Sequence, residues 1–249
     1  AILIFIFIFF LSKDSLKLSN SSLFNFFVGG LLISIHWYLF FYSIKISSIS
    51  LTLSILSTAS LMTSFLEPIF YKRPFRIHEL IFGLIAVVGL VLIFGIQSEN
   101  YFAILISLIC TLLSVLFSLL NGFLIKNRSS SQISFYEIIF GFFIISLIIF
   151  FSNIKFPTLS SISLSNWVYI FILGSLCTAY AFVASNYILK FITPYTMMMS
   201  LNLEPVYGIL FSLIIFGEKE YMDIQFYIGA GIIFLGVIGN IVFKYKKIS

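Results

Sequence analysis

Long apolar runs separated by short polar stretches dominate the chain. A first run covers residues 1–11, and eight later runs are long enough for a transmembrane α-helix, which needs roughly 20 apolar residues. The predicted spans are residues 23–44, 48–71, 79–96, 101–125, 133–151, 166–189, 195–216 and 225–243. The pattern predicts an all-α polytopic membrane protein.

Composition agrees with this fold class. Hydrophobic residues make up 61% of the chain and charged residues 9%, whereas soluble domains carry about 25% charged residues. Cys110 and Cys177 lie within apolar runs, so the sequence predicts no disulfide framework. The net charge of +5 needs no nucleic-acid partner, because the placement of the cations along the chain accounts for it.

The first apolar run, residues 1–11, is too short to cross a bilayer. It also lacks the basic start and the small-residue cleavage site of a signal peptide. We therefore expect the sequence to begin part-way through a transmembrane helix of a longer protein.

Lysine and arginine predict the orientation of the spans, because cytoplasmic loops are enriched in both. Three cations fall on one side of the membrane, namely Lys45, Lys155 and Lys219. The other eleven are Lys13, Lys17, Lys72, Arg73, Arg76, Lys126, Arg128, Lys190, Lys244, Lys246 and Lys247. This asymmetry predicts a cytoplasmic C-terminus.

An internal repeat is predicted at an offset of 145 residues, which places Tyr42 on Tyr187 and Lys45 on Lys190. Chance matches are common among apolar sequences, so the prediction depends on the agreement of orientation, spacing and glycine positions. It implies two inverted five-helix repeats, at residues 1–96 and 97–249, in a ten-helix parent. This chain would then hold part of helix 2 and eight full transmembrane helices.

The tripeptide Leu-Glu-Pro occurs twice, with Glu67 and Glu204 at its centres. Under the 145-residue offset Glu204 aligns with Ala59, so the two tripeptides are not equivalent positions. Glu67 lies one turn from Lys72 and Arg73, where we expect it to pair with these cations or to reach water.

Glu204 is predicted to be the one carboxylate deep in the membrane, where an ionisable group marks a functional site. The alternative is a protonated or hydrogen-bonded carboxyl that supports the helix break at Pro205. Glu79 and Glu137 are expected to be structural, because each is placed at a helix start, where the helix dipole favours a carboxylate.

Polar side chains form stripes on several spans. One face of span 101–125 carries Ser107, Thr111, Ser114, Ser118 and Asn121. Spans 79–96 and 225–243 contain no Ser or Thr and are rich in glycine. One interpretation is a polar pathway lined by the striped helices with these two spans as scaffold, and the other is that small polar residues let the helices pack closely.

The candidate substrate-binding residues are polar or ionisable groups within the spans, and His36 among them is alternatively a buried hydrogen-bonding residue. They are Glu204, Asn202, Tyr207, Thr178, His36, Ser57, Ser114 and Asn121. The chain has no His-Glu-x-x-His motif and no phosphate-binding glycine-rich loop that ends in Lys. We predict no catalytic residues, no metal site and no cofactor.

Several short motifs, in this order and spacing, resemble EamA-type members of the drug/metabolite transporter superfamily. They are Leu173-Gly174, Thr178-Ala179-Tyr180, Tyr187 to Lys190, Leu203 to Tyr207, Phe216 to Lys219, Ile228 to Ala230 and Leu235 to Val237. The first half resembles the family through Tyr42 to Lys45 and Gly83 to Gly89. The resemblance implies ten helices in two inverted repeats around a central cavity, and transport of metabolites across the bacterial inner membrane.

The predicted function is secondary transport of a small amino-acid-like or amphipathic metabolite, as an exporter, by alternating access. The expected partners are this substrate, the lipid bilayer and a coupling proton carried by Glu204; the sequence sets no oligomeric state. Two alternatives stay open: a sugar-phosphate or nucleotide-sugar exchanger of the same superfamily, and a non-transporting integral membrane protein. The expected location is the bacterial inner membrane.

Overall fold

A computed structural model describes residues 20–94, 100–152, 163–204, 206–207 and 224–246 of the chain. In these ranges every regular element is helical and no strand occurs. The helices are α1 (Asn20–Ile46), α2 (Ile49–Leu56), α3 (Thr58–Tyr71), α4 (Ile77–Phe94), α5 (Tyr101–Leu124), α6 (Ser130–Phe151), α7 (Leu164–Ile172), π1 (Leu173–Tyr180, a π-helix), α8 (Ala181–Ile188), α9 (Pro194–Leu201) and α10 (Ile224–Lys246).

The all-α membrane fold is confirmed, since the described ranges contain six helical segments that are long and apolar enough to cross a bilayer. Two of them, Leu51–Tyr71 and Leu164–Ile188, each join consecutive helices into one span. The predicted half-span at residues 1–11, residues 208–216 of span 195–216, and the cations Lys13, Lys17, Lys155, Lys219 and Lys247 lie outside the described residues. The inverted repeat and its boundaries stay predictions.

The chain divides into two compact units. The first comprises Ala1–Ile35 and Leu120–Ile192, and the second comprises His36–Leu119 and Thr193–Ser249. Each unit therefore combines segments that are distant in sequence.

In the first unit, glycines bring α1 and α6 into close contact. A Cβ added to Gly30 would lie 2.6 Å from Cβ of Phe140 and 2.8 Å from the carbonyl oxygen of Glu137. Gly141 on α6 is similarly close to Ser34, whose Oγ would lie 2.9 Å from an added Cβ. Small residues are what membrane helices use for such close approach.

The helix-dipole explanation for Glu137 is wrong. α6 begins at Ser130, so Glu137 is two turns inside the helix, beyond the first turn where the dipole acts. Its side chain is fully buried, and Oε2 accepts a hydrogen bond of 3.1 Å from Nδ2 of Asn121. Glu204 is therefore not the one carboxylate well inside a span.

The second unit is built on the contact between α4 and α10, the two spans without Ser or Thr. A Cβ added to Gly229 would lie 2.5 Å from the carbonyl oxygen of Gly89, so the two backbones touch. The core beside this contact includes Leu90 of α4, Ile233 of α10 and Met199 of α9. This packing fits the scaffold role predicted for the glycine-rich spans.

Two helices of the second unit are interrupted in mid-span. α2 ends at Leu56 and α3 starts at Thr58, and the hydroxyl of Ser57 donates to the carbonyl of Ser54 at 2.6 Å. Such back-bonding competes with the helix ladder and bends helices. α9 ends at Leu201 and the chain turns at Asn202–Leu203. Pro205 lies outside the described residues. Proline has no backbone N–H and therefore cannot donate the usual helical hydrogen bond to the carbonyl four residues before it.

Candidate functional site

A cavity of about 170 Å³ lies within the second unit, beside both helix interruptions. Its polar lining is His36, Ser57, Thr111, Ser114, Asn202 and Glu204. Its apolar lining is Leu53, Leu56, Ala59, Leu90, Met198 and Leu201. Five of the eight predicted site residues are thus brought together around one cavity.

The two interruptions are joined by a direct hydrogen bond. Nδ2 of Asn202 donates to Oγ of Ser60 at 3.1 Å, and both side chains are buried. Ser60 is in the first turn of α3, just after the Ser57 interruption. Interrupted membrane helices are tolerated where they line a cavity or are buried in protein, and transporters use such breaks to build binding sites.

Glu204 follows the second interruption by two residues. Its side chain is exposed, and it makes no hydrogen bond or ion pair with any of the described residues. The carboxylate is therefore available to a ligand or to water in the cavity. Among the residues that the structure describes, no lysine or arginine lines the cavity to neutralise it.

His36 is half-buried on α1, and its Nδ1 lies 2.9 Å from the carbonyl oxygen of Cys110. Because a carbonyl only accepts, this contact requires the proton of a neutral ring on Nδ1. Nε2 is then the nitrogen that can accept a hydrogen bond or a proton. The contact with Cys110 of α5 therefore orients the ring, and Nε2 remains for hydrogen bonding to a ligand in the cavity.

The hydroxyls of the lining differ in how much of their hydrogen-bonding capacity is used. Thr111 donates to the carbonyl of Ser107 at 2.7 Å, and Ser57 donates to Ser54. Ser114 is half-buried and makes no hydrogen bond within the described ranges. Its hydroxyl is the one most available to a ligand.

Three predicted site residues do not line this cavity. Thr178 belongs to π1, where its hydroxyl donates to the carbonyl of Leu173 at 2.8 Å. Asn121 belongs to the first unit and bonds to Glu137. Tyr207 is 50% exposed and is absent from the lining. Their predicted role in binding therefore has no support from the geometry of this cavity.

Glu67 occupies a different environment from Glu204. Its side chain is 1% exposed, Oε1 accepts from Nε of Arg73 at 2.9 Å, and Oε2 accepts from the backbone N–H of Tyr195 at 2.7 Å. Nη2 of Arg73 also donates to Oε2 of Glu79. The prediction that Glu67 pairs with a nearby cation or reaches water is confirmed in its first alternative, since Glu67 pairs with Arg73 and its side chain is buried.

These contacts make the Glu67–Arg73–Glu79 cluster a clamp on three helices. Glu67 is on α3, Glu79 is in the first turn of α4, and Tyr195 is in the first turn of α9. A carboxylate that accepts a first-turn N–H stabilises a helix start. α9 ends beside the cavity, so the cluster fixes the opposite end of a helix that lines it.

Sequence reasoning left out some lining residues. Thr111 was recognised as part of the stripe on span 101–125 but not as a site residue. It lies three residues before Ser114 and therefore on the same helix face, which would have indicated that it lines the cavity. Ala59 aligns with Glu204 under the repeat and also lines the cavity. Met198 and Leu53 carry no sequence signal that separates lining from core.

A family model for the EamA-like transporter family matches residues 1–95 and 101–242. No curated protein is significantly similar to the chain in sequence. A solved structure titled "Crystal structure of protein" has a TM-score of 0.80 and 12% sequence identity, and the alignment covers 100% of this chain and 85% of that one. At this identity the structural likeness shows the fold alone.

Proposed function

Because the chain belongs to the EamA-like transporter family, and is thus a membrane transporter of the drug/metabolite transporter superfamily, we propose that its second-unit cavity binds the transported substrate. The substrate is a small amino-acid-like or amphipathic metabolite, which the protein exports by alternating access. Proteins of this family are transporters rather than enzymes. The observation that carries the proposal is the placement of Glu204, Asn202 and His36 around one cavity.

The charge of the lining supports this substrate class. Glu204 supplies a carboxylate, and Asn202, Ser114 and His36 supply hydrogen-bonding groups, beside six apolar side chains. A ligand with an ammonium group and a short apolar part complements this set, since charge-assisted hydrogen bonds to a carboxylate are the strong ones. Glu204 is also the group we propose to carry a coupling proton.

The size of the cavity supports a small substrate. Its volume of about 170 Å³ is well below the roughly 300–1,000 Å³ of pockets for drug-sized ligands. A single amino-acid-sized metabolite is compatible with this space.

Two observations support the inverted repeat, with boundaries at residues 1–96 and 97–249. The family model matches the chain in two segments, 1–95 and 101–242. The 145-residue offset places Ser57 on Asn202, and both residues mark helix interruptions that line the cavity. A binding site at the interface of two such repeats is the arrangement that alternating access requires.

The alternative sugar-phosphate or nucleotide-sugar exchanger is less well supported. An anionic substrate needs cations, and among the described residues the cavity lining contains neither lysine nor arginine. The polar cavity also disfavours a non-transporting protein, for which we would expect a dry core between the helices. We further propose a bacterial inner-membrane location with the C-terminus in the cytoplasm, following the lysine and arginine asymmetry.

The test is an efflux assay in proteoliposomes loaded with a mixture of the standard amino acids, with the released components identified by mass spectrometry. We expect one or a few components to leave faster than from protein-free liposomes. For that component, Ser114→Ala should raise KM about 2–12-fold, because it removes one hydrogen bond worth roughly 0.5–1.5 kcal/mol.

The matched control is Ser175→Ala, which also removes one hydroxyl. Ser175 is half-buried in π1 of the first unit, and its hydroxyl donates to the carbonyl of Phe171 at the end of α7. KM should not change in this variant. Equal effects of the two substitutions would contradict the assignment of the cavity.

A further inference from the structure

A buried polar pair in the first unit takes no part in the proposed substrate site. Glu137 of α6 is fully buried, and Nδ2 of Asn121 on α5 donates to its Oε2 at 3.1 Å. Neither residue lines the cavity of the second unit. An ionisable group inside a membrane span marks a functional site, so this pair needs an explanation of its own.

The carboxyl of Glu137 lacks a counter-ion. It forms no ion pair with any described residue, and the hydrogen bond that it accepts comes from the neutral amide of Asn121. Glu67 is almost equally buried but is paired with Arg73. A buried carboxylate without such a partner costs so much free energy that the group takes up a proton instead. The surroundings of Glu137 therefore favour the neutral acid.

Two buried oxygens indicate where this proton lies. Oε1 of Glu137 and Oδ1 of Asn121 have no hydrogen-bond partner among the described residues. An O–H on Oε1 is the donor that Oδ1 lacks, and it would close the acid and the amide into a ring of two hydrogen bonds. A carboxylate would leave both oxygens unsatisfied, at a cost of about 1–3 kcal/mol each.

Gly29 of α1 packs directly on the carboxyl. A Cβ added to Gly29 would collide with Oε1 of Glu137 and would lie 2.8 Å from its Cδ. Oxygen-bound metal cations such as Mg²⁺ and Ca²⁺ need about six or more ligands, whereas this pair offers two unsatisfied oxygens. The close packing and the small number of oxygens suit a proton as the ligand.

Polar side chains lead from Glu137 toward the start of α6. Ser130, Ser134 and Glu137 are separated by four and three residues, which puts them on one helix face. Oγ of Ser134 accepts from Nδ2 of Asn186 on α8 at 2.9 Å, and both side chains are buried. This face offers the carboxyl a polar route to the end of the span, as in the proton relays of transporters.

We propose that Glu137 is an exchangeable proton-binding site of the first unit, with the proton on Oε1 donated to Oδ1 of Asn121. On release the O–H bond of Oε1 breaks, the proton passes to water, and a carboxylate remains; rebinding reverses this step. An unpaired carboxylate is costly in the packed site, so release favours a conformation in which water reaches α1 and α6. The proposal rests on the proposed function for the use of this proton, which would be a second coupling proton besides that of Glu204.

Infrared spectroscopy tests the site, because a protonated carboxylic acid has a carbonyl stretching band that a carboxylate lacks. At about pH 8 water-exposed carboxyls are ionised, so the band of a buried acid is seen by itself. The purified protein should show this band, and transfer to D₂O should lower its frequency as the proton exchanges. Asn121→Ala should raise its frequency, because the N–H that bonds to Oε2 is lost.

Glu137→Gln should lose the band. Glutamine can make both hydrogen bonds of the ring, so this variant should fold. Glu67→Gln is the matched control, since it makes the same substitution at a buried glutamate that is paired with Arg73. It should leave the band unchanged.

Three outcomes would overturn the proposal. Absence of the band from the wild-type protein, or its persistence in Glu137→Gln, would show that Glu137 holds no proton. Loss of the band when sodium replaces choline in the buffer would show a cation site. A band that does not shift in D₂O would show a permanently buried structural acid. The spectra need no substrate, so their outcome is independent of the efflux assay that tests the proposed function.

Discussion

The two Leu-Glu-Pro tripeptides have the same sequence and opposite environments. Glu67 is buried and bonded on both carboxylate oxygens, to Arg73 and to the N–H of Tyr195. Glu204 is exposed beside a polar cavity and has no such partner in the described part of the chain. The residue type therefore does not set the role of either carboxylate; the groups that the fold brings to it do.

The difference arises from what surrounds each tripeptide locally. After Pro68 the helix continues to Tyr71, and Lys72 then adopts a left-handed conformation with φ 53°. That turn directs Arg73 back onto Glu67. Glu204 instead follows a helix interruption and lies beside a cavity, and none of the described lining residues is a cation that could pair with it.

Replacing Glu67 tests the comparison with the largest expected effect. Glu67→Ala removes one charge-assisted hydrogen bond from Nε of Arg73, which keeps its contact with Glu79, and another from the N–H of Tyr195. Because each such bond is worth about 1.5–3 kcal/mol, the loss should be about 3–6 kcal/mol. Thermal and chemical unfolding in detergent should show this loss of stability. Glu204→Ala, the matched control, should cost less than about 1 kcal/mol, and equal losses would contradict the structural role of Glu67.

Replacing Asn202 tests the link between the two helix interruptions. Asn202→Ala removes the hydrogen bond to Ser60 in a buried position, which should cost about 1–3 kcal/mol in the same unfolding assay. Ser60→Ala should cost a similar amount, and the double variant should cost less than the two single losses added together. Strict additivity would show that the bond does not join the interruptions.

Replacing Lys72 has the smallest expected effect and the opposite sign. Lys72→Gly keeps the left-handed turn without the steric cost to a residue that has a Cβ, so stability should rise by about 0.5–1 kcal/mol. A loss of stability in the unfolding assay would show that the side chain of Lys72 supports the clamp, which its contacts give no reason to expect.

The sequence located the helices and five of the residues that line the cavity, because both depend on local patterns. Because the solvent of these helices is lipid, the length of an apolar run shows where the chain crosses the membrane. The polar residues Glu204, Asn202 and His36 are easily recognised within these runs. The clamp was only partly predictable: Arg73 is near Glu67 in the sequence, but Tyr195 is 128 residues away. The role of Glu137 was mistaken because its environment depends on Asn121 of another helix.

The proposed role of Glu204 in transport is tested most directly by one measurement. Glu204→Gln is compared with Tyr207→Phe, a nearby residue that does not line the cavity, as efflux driven by a pH gradient in proteoliposomes. Glutamine keeps the size of the side chain but cannot release a proton, so gradient-driven efflux should be abolished while Tyr207→Phe stays near wild type. Unchanged gradient-driven efflux in a folded Glu204→Gln variant would contradict the role of Glu204 in transport.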